Sequence, residues 1–329
     1  MATIGETVLT LADWAKRLDP DGRVETVVEM LSQTNEILAD MLWLEGNLPN
    51  NHRTTVRTGL PSAAWRKLNY RVPQSKSTTV QVTDSCGMLE AFSTVDKDLA
   101  DLNGNTAGFR LSEAQPFIEL MNQAMANTVF HGDTARYPER FLGLSPRFDD
   151  DTTAETRENI VDAGGSSTDN TSVWLVCWGA NTVHGIFPRG SMAGIQHKDL
   201  GVDTVTDPEG NPYLAYRDHW QWKCGLTVRD WRYVVRIANI DVSNLMGETS
   251  AADLLKLMVK AVHKLPSTSM GRCAFHMNRT VRTMLDIQAM EKSNVNLTIE
   301  RPGGKPQTEF WGIPLRTCDS ILNTEAAVL

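Results

Sequence analysis

Residues 46–83 read GNLPNNHRTTVRTGLPSAAWRKLNYRVPQSKSTTVQVT. This stretch has no Asp or Glu, and its Lys and Arg residues are Arg53, Arg57, Arg66, Lys67, Arg71 and Lys76. The β-prone pieces RTTVRT and KSTTVQVT flank a polar tip, which predicts an extended two-stranded arm. An isolated hairpin is at best marginally stable in water. We therefore expect a second molecule to cover the arm, and the favoured partner is another copy of the same chain.

Charge is distributed unevenly along the 329 residues. The whole chain has a net charge of −8 and the arm contributes +6, so the remainder carries −14. Segments 1–45, 84–101 and 149–162 are each acidic. A cationic arm on an anionic body favours docking onto the body of an identical neighbour. A mobile loop with solvated charges is the alternative that this pattern leaves open.

Composition is typical of a soluble globular protein, with 41% hydrophobic and 22% charged residues. No apolar run approaches the roughly 18 residues of a membrane span. The start, MATIGETVLTLADW, lacks the basic region of a secretory signal. We expect no membrane contact and no secretion. The scattered cysteines, without a CxxC pair, predict free thiols in a reducing cytoplasm; they are Cys86, Cys177, Cys224, Cys273 and Cys318.

Apolar spacing predicts helices in the first half of the chain. A short helix is expected over 6–18, and a longer one over 23–45 with a single apolar face and Gly46 as its C-terminal cap. Segment 84–102 fits a helix or a strand. Another helix is predicted over 112–130, where Ser112 and Gln115 form a capping box and Pro116 lies in the first turn.

Strands dominate the second half of the sequence. The acidic, polar stretch 149–172 predicts an exposed loop or a domain boundary. SVWLVCWG and TVHGIFP then predict a hairpin, with its first strand buried on both faces. Two further strands follow within 212–240. A helix is predicted over 250–264, with Ser250 and Asp253 at its start, and another over 278–291, with Asn278 as its cap. The chain then ends in a strand, a turn and a strand. Helices and strands are interspersed without strict alternation, which favours an α+β class.

No pattern in the sequence predicts catalysis or a cofactor. Gly303-Gly304-Lys305 lacks the upstream Gly and the Ser/Thr of a phosphate loop. No GxSxG sequence is present, and no two histidines have the i, i+4 spacing of a helical zinc site. We interpret His131-Gly132 as a helix end, with the histidine favoured by the helix dipole and the glycine as cap. We expect no catalytic residue, no metal and no cofactor.

Trp220, Trp222 and Trp231 lie in a strand-rich region together with several arginines. Aromatic residues interleaved with basic ones can bind single-stranded nucleic acid by stacking. More often such residues form the core or interface of a sheet. We prefer the core or interface interpretation, because the acidic net charge works against a nucleic-acid surface.

Several stretches, taken in order, resemble the major capsid protein of tailed bacteriophages, with the Hong Kong 97 type of fold and its podophage-like branch. They are ETVLTLADWAKRLDPDG (6–22), NEILADMLWLEGNLPNNHRTTVRTGLP (35–61), DKDLADLNGN (96–105), NTVFHGDTARYPERFLGL (127–144) and FWGIPLRTCDSIL (310–322). The resemblance covers nearly the whole chain. It rests on the order and combined length of the stretches, because none of them is diagnostic by its chemistry.

The resemblance implies a division of the chain. Residues 1–48 would be the N-terminal arm and helix, and 49–88 the extended β-hairpin loop. Residues 89–169 would be the peripheral domain with a long spine helix, and 170–308 the axial domain. Residues 309–329 would return to the body as a strand.

The resemblance also implies function, partners and location. Many copies would self-assemble as hexamers and pentamers into an icosahedral head around double-stranded DNA, after assembly in the bacterial host cytoplasm. Because some relatives carry a scaffolding segment before the arm and this chain begins at the arm, a separate scaffolding protein is expected. A portal and a decoration protein are further partners. Some relatives form Lys–Asn cross-links, but Lys67 and Lys76 lack a matching motif and are interpreted as exposed lysines.

Two other functions remain open at the level of sequence. The first is a nucleic-acid-binding protein that uses the basic arm, which salt-sensitive DNA binding by the subunit would favour. The second is a cytosolic enzyme of unknown class, which a bound metal or cofactor would favour. We prefer a non-enzymatic shell subunit in which the six cations of the arm contact a neighbouring copy.

Overall fold

The computed structural model describes residues 33–102, 105–149, 155–206, 209–247, 251–291, 297–300 and 307–328. The helix expected over 6–18, and residues 23–32 of the helix expected over 23–45, lie outside the described residues. The elements of the first half, in chain order, are α1 (Ile37–Asp40), β1 (Trp43–Glu45), β2 (Asn51–Gly59), β3 (Thr78–Ser85), β4 (Gly87–Asp96), α2 (Lys97–Asp101) and α3 (Thr106–His131).

The second half contains most of the strands. In chain order its elements are β5 (Ile160–Asp162), β6 (Asn170–Trp178), β7 (Val183–Phe187), β8 (Gln196–Thr206), β9 (Pro212–Val228), β10 (Val234–Asp241), α4 (Val242–Met246), α5 (Leu254–Lys264), β11 (Arg272–Met277), α6 (Arg279–Glu291), β12 (Leu297–Glu300), β13 (Gln307–Phe310) and β14 (Ile313–Thr317). Short 3-10 turns occur at Ser145–Arg147, Glu155–Asn159 and Trp231–Tyr233.

Strand β6 is the centre of the molecule. Every residue from Asn170 to Trp178 is buried, and the strand pairs antiparallel with β10 on one side and with β11 on the other. Because side chains alternate across a strand, β6 contributes to two cores. Trp174, Val176 and Trp178 pack in a core with α3 and β9, whereas the residues between them pack in a second core with α5 and α6. The expectation that this strand is buried on both faces is confirmed.

Strand β9 connects the long helix to the main sheet. Its last residues pair with β7, and its first part pairs antiparallel with β4 and with β8. Helix α3 packs against β4 and buries Met121, Met125 and Val129 in the first core. The long helix and the β4–β9–β8 strands therefore form one layered unit.

The C-terminal segment closes the first core. The Glu325 carboxylate accepts a hydrogen bond from the Arg236 guanidinium (2.8 Å) and one from the Ser172 hydroxyl, and all three residues are buried. Arg236 also donates to the Phe148 carbonyl oxygen at 2.7 Å. Nearby, Asn239 Oδ1 accepts from the Val328 backbone N–H at 2.8 Å. This network ties the end of the chain to β6 and β10.

The helix expected over 23–45 is wrong in its described part. Only Ile37–Asp40 is helical, and Trp43–Glu45 forms β1, which pairs parallel with Gly185–Phe187 of β7. Trp43 packs against Trp222 with ring centroids 6.1 Å apart. Pairing and aromatic packing, both tertiary interactions, therefore override the local helical spacing.

The start of the long helix was also predicted incorrectly. The helix begins at Thr106, and the Asn105 side chain caps it by accepting a hydrogen bond from the Gly108 N–H at 3.2 Å. Ser112 and Gln115 are therefore not a capping box, and Pro116 lies inside the helix. The predicted end is confirmed, because the helix stops at His131 with Gly132 as its C-terminal cap.

The hairpin expected from SVWLVCWG and TVHGIFP does not form. Among the described residues, β6 and β7 pair at one position, Trp178 with Val183, while β7 pairs with β9 and β1. The Thr182 hydroxyl donates to the Cys177 carbonyl oxygen at 2.7 Å and closes the connecting turn. After this position β7 separates from β6, because its pairings with β9 and β1 extend over more residues.

An exposed loop over 149–172 is correct only in part. Ile160–Asp162 forms β5, which pairs parallel with β10, and Ile160 and Val161 are buried. Residues 170–172 already belong to β6 and are buried, with Asn170, Thr171 and Ser172 as polar core residues. Segment 84–102, left open between helix and strand, forms β4 followed by α2.

The expectation of five free thiols is wrong. Cys177 and Cys273 face each other on the antiparallel strands β6 and β11 and form a disulfide. Scattered sequence positions gave no signal for this pairing, because it depends on strand register. Cys86, Cys224 and Cys318 are free and buried. Burial raises the pKa of the Cys86 thiol to about 11.

The remaining expectations for the second half are correct in the type of element and differ from the structure in two places. Strands β9 and β10 fall within 212–241. The helix expected over 250–264 begins at Leu254, where Asp253 caps it by accepting from the Lys256 N–H at 3.3 Å, and Asn278 caps α6 by accepting from the Val281 N–H at 2.8 Å. The chain ends in three strands, β12, β13 and β14, where two were expected, with Trp311 and Gly312 in the turn between β13 and β14.

Replacing Glu325 with Ala should lower the free energy of unfolding by about 3–5 kcal/mol, because it leaves the Arg236 charge buried without its partner. Urea denaturation followed by circular dichroism measures this change. Asp203→Ala is the matched control, since the Asp203–Arg217 pair (2.9 Å) is exposed to solvent. An unfolding free energy for Glu325→Ala equal to that of the control would contradict the assigned role of the network.

Candidate functional site: the basic arm

The arm is a two-stranded ribbon with an irregular tip. Strands β2 and β3 pair antiparallel from Asn51 with Ser85 to Gly59 with Thr78, and residues 60–77 connect them. Alternating Thr and Val residues suit these strands, because β-branched side chains fit a pleated surface. At the tip, Asn69 has φ of 66° and the Tyr70 N–H donates to the Lys67 carbonyl oxygen, which makes a tight turn. The two-stranded arm expected from the sequence is present.

All six cations of the arm are exposed. Arg53 and Arg57 lie on β2, four residues apart and therefore on the same face of the ribbon. Arg66, Lys67, Arg71 and Lys76 lie in the irregular tip. None of the six forms an ion pair with a carboxylate of the described chain. The Arg53 side chain donates to Thr83 Oγ1 at 3.4 Å, within the arm itself.

The tip also exposes large apolar side chains, which the interpretation of the sequence overlooked. The Trp65 side chain is fully exposed, and Leu68 is 91% exposed. Leu60, Tyr70 and Val72 are exposed as well. The sequence WRKLNYRV does indicate this surface, because its apolar residues lie between cations. The small number of apolar residues in the arm as a whole hides the pattern. Several large exposed apolar side chains within one segment indicate an interaction site.

The root of the arm is fixed to the body by polar contacts. The buried Asp84 carboxylate accepts from the Arg147 guanidinium at 2.7 Å and from the Thr227 hydroxyl. On the other strand, the His52 ring meets the His184 ring edge-on, with centroids 5.7 Å apart. The arm therefore combines an anchored root with an uncovered tip.

The tryptophans of β9 do not form a stacking platform for nucleic acid. Trp220 and Trp222 are buried, and Trp231 packs against the first core. Of the expected core or interface role, the core role is confirmed for Trp220 and Trp222. Trp220 also stacks on His197 with ring centroids 4.1 Å apart.

His131 has a different environment from the one expected. It lies at the end of α3 as expected, but burial lowers its pKa, so the imidazole is not a cation stabilised by the helix dipole. Its Nε2 atom lies 4.0 Å from the Glu325 carboxylate. Desolvation by burial is the largest cause of this shift in pKa, and the Glu325 carboxylate opposes it.

The described part of the chain contains no group of three or more His, Cys, Asp or Glu residues that is placed to hold a metal ion. No helix among those residues is both long enough and apolar enough to cross a membrane. The tip of the arm combines exposed cations with exposed large apolar side chains.

Comparison with known proteins identifies the class. The model of the family described as major capsid protein GP7 matches residues 19–329. This chain belongs to that family of phage major capsid proteins. A search of curated proteins found no match.

One solved phage structure agrees with the family. A near-atomic-resolution structure of bacteriophage Epsilon15 has 37% sequence identity to this chain, a TM-score of 0.77, and coverage of 100% of this chain and 99% of the other. A chain from Microbacterium phage Oxtober96 has 12% identity and a TM-score of 0.44, over 69% and 98% of the two chains. A capsid chain of the native GTA particle has 11% identity and a TM-score of 0.46, over 68% and 96%.

These findings confirm several expectations from the sequence. The fold is α+β and of the phage capsid type, as the resemblance to the Hong Kong 97 type implied. The chain is a shell-forming major capsid protein that assembles with copies of itself and is located in the virion. Its family is structural and points to a role other than catalysis.

Trypsin should cut the free subunit after Arg66, Lys67 or Arg71 before it cuts after Arg110 in helix α3. The reason is that exposed loop tips without strand pairing fit a protease active site, whereas a packed helix does not. Mass spectrometry of fragments from a short digestion identifies the first cut. Earlier cleavage after Arg110 would contradict the exposure of the tip.

Proposed function

We propose that the arm is the contact through which one subunit holds the next in hexamers and pentamers of the shell. The observation that carries this proposal is the uncovered tip, where the fully exposed Trp65 lies among cations that have no carboxylate partner in the described chain. A surface of this kind is costly to leave in water. A second copy, present at high density in any shell, is the partner at hand.

Charge supports a contact between different parts of two copies. The arm carries +6 and the rest of the chain −14, so an arm is attracted to the body of a neighbour more than to another arm. A head-to-tail contact of this kind uses two different patches of one subunit and closes into a ring when the rotation allows it. Hexamers and pentamers are such rings.

Apolar burial supplies the larger energy in this contact. Fully burying a Leu or Val side chain contributes roughly 1.5–3 kcal/mol, and aromatic residues dominate interface energetics. Exposed ion pairs contribute only about 0–1 kcal/mol each. We therefore assign affinity to Trp65, Leu68 and Tyr70, and orientation to the six cations Arg53, Arg57, Arg66, Lys67, Arg71 and Lys76.

We also propose the division of the chain that the resemblance implies. Residues 1–48 act as the N-terminal arm, 49–88 as the extended loop, 89–169 as the peripheral domain, 170–308 as the axial domain and 309–329 as the returning strand. The β8–β9 hairpin pairs with β4 and so packs with the spine helix, although its sequence falls within 170–308.

The remaining partners follow from the role of the shell. Packaged double-stranded DNA makes weak, non-specific contact, because an acidic subunit does not bind phosphates strongly. A separate scaffolding protein, a portal and a decoration protein complete the proposed set. The subunit acts without catalysis and without a cofactor.

The combined substitutions Arg53→Glu, Arg57→Glu and Arg66→Glu should leave a folded, soluble subunit that does not form closed shells. The three reversals turn attraction between arm and neighbouring body into repulsion, while none of the three side chains contributes to a core. Negative-stain electron microscopy and light scattering measure assembly, and circular dichroism measures folding.

A matched control separates the arm from net charge. Arg189→Glu, Lys260→Glu and Arg272→Glu make the same change on exposed cations outside the arm, and this variant should assemble. Normal shells from the arm variant would contradict the proposal. DNA binding that the arm variant loses while it still assembles would favour the nucleic-acid function instead.

Trp65→Ser should raise the threshold concentration for assembly by about 30-fold or more, because a hot-spot residue contributes at least about 2 kcal/mol to each contact. Light scattering over a concentration series measures the threshold. Tyr137→Ser, which removes an exposed aromatic side chain from the body, is the control. A threshold for Trp65→Ser equal to that of the control would contradict the role of the tip.

A further inference from the structure

The arm joins the body at a root made of few contacts. His52 on β2 pairs in register with Asp84 on β3, one step from the Asn51–Ser85 pair where the ribbon begins. None of the residues 49–85 belongs to the hydrophobic cores of the described chain. The direction of the arm is therefore set at its root, and a change there leaves the cores intact.

Asp84 connects the ribbon to two elements of the body. Its carboxylate accepts from Arg147 Nη2 at 2.7 Å and from the hydroxyl of Thr227 on β9. Arg147 is itself fixed, because its guanidinium also donates to the carbonyl oxygens of Gly143 and Leu226 at 3.2 and 3.3 Å. Both sides of the contact are thus held by rigid backbone, and the carboxylate is buried.

A close backbone approach supports the same orientation. A Cβ atom on Gly225 would lie 2.6 Å from the Ser85 carbonyl oxygen and 3.2 Å from Cys86 Cα. Glycine therefore lets β9 approach the end of the ribbon directly. Further out, Asn47 accepts from the Arg53 N–H at 2.8 Å and donates to the Arg53 carbonyl oxygen at 2.7 Å.

On the opposite strand of the root, β2, His52 contacts His184 of the body strand β7. His52 and His184 meet edge-on, and His184 is buried. Burial lowers the pKa of His184 to about 4, with His52 and Arg229 as further causes. Burial also lowers the pKa of His52, and Arg229 adds to this while Asp84 opposes it. Both imidazole rings are therefore uncharged near neutral pH while the arm is held against the body.

We propose that Asp84 is a positioning residue for shell assembly, whose contacts with Arg147 and Thr227 fix the direction in which the arm leaves the body. This inference rests on the proposed function, because a fixed direction matters only if the arm must reach a neighbour. An arm that already points in its binding direction loses less conformational entropy when it binds a neighbouring subunit. This role of Asp84 requires no contact between Asp84 and a neighbouring subunit.

A distance between the arm and the body tests the proposal in the free subunit. Spin labels at Thr79→Cys on β3 and Lys260→Cys on α5 occupy exposed sites on regular elements. The native free cysteines are buried, so labelling is selective for the introduced thiols. Double electron–electron resonance on the full chain, below the concentration at which it assembles, should give one narrow distance distribution.

Asp84→Asn should broaden this distribution by about twofold or more, since the hinge then lacks its ion pair. Thr227→Val keeps the Asp84–Arg147 pair and should broaden the distance distribution less. This second variant tests the root of the arm if Asp84→Asn does not fold. Asp203→Asn is the matched control, because it removes the same charge from the Asp203–Arg217 pair on the β8–β9 hairpin. A folded Asp84→Asn variant as narrow as the control would overturn the proposal.

A pH series gives a readout that a purely structural contact would not change. His52 and His184 are uncharged while the arm is held against the body. These histidines bind protons more readily when the arm is free. The ratio of fixed to free arm should therefore fall as the pH drops below the ordinary imidazole pKa of 6.5 toward the His184 pKa of about 4. His184→Gln should flatten this dependence, and the exposed His263→Gln should not.

A distance distribution that is the same at pH about 7.5 and at pH about 4.5 would contradict a role of the His52–His184 contact in holding the arm.

The positioning role of Asp84 and the proposed function of the arm can be contradicted independently. If the arm does not bind a neighbour, the charge-reversed arm still assembles, while the distances in the free subunit depend on Asp84 as before. If Asp84 does not position the arm, assembly depends on the arm cations but the distribution stays narrow in Asp84→Asn.

Discussion

The structure depends on a ribbon that its own body leaves uncovered. Water disfavours the apolar surface of Trp65, Leu68 and Tyr70, and the cations around them have no carboxylate partner in the described chain. A two-stranded ribbon without a packed face is only marginally stable. Under the proposed function, a shell built from copies of the chain satisfies this constraint. Membership of the GP7 major capsid family fits this physical requirement.

The body provides the rigid support that such an arm requires. Strand β6 is buried on both faces and separates two cores, and the buried Arg236–Glu325 pair holds the end of the chain against it. Strand β9 extends from this sheet to β4 and helix α3. At the root of the arm, Asp84 transmits the orientation of this body to the ribbon. An exposed contact surface on a fixed support is suited to repeated, identical assembly.

The sequence predicted features that arise from local chemistry. The ribbon, the buried strand β6, and the caps Gly132, Asp253 and Asn278 follow from composition, periodicity and hydrogen-bonding capacity over a few residues. The features it did not predict depend on distant partners. Trp43 joins β7 instead of a helix because a strand about 140 residues away accepts it. The Cys177–Cys273 disulfide likewise requires the register of β6 against β11.

The candidate site was predicted in part. The cations were found because an absence of Asp and Glu is visible in the sequence, and the apolar tip was missed because its residues are few, though all exposed. The root was missed because Asp84, Arg147 and Thr227 are far apart in sequence and meet only through the fold.

Electron cryo-microscopy of assembled shells tests the central claim most directly, through the surroundings of the Trp65 side chain. The account predicts that the indole is buried against a second copy of the chain, beside acidic residues of that copy. A Trp65 side chain packed against its own body, or left in solvent within a closed shell, would contradict it.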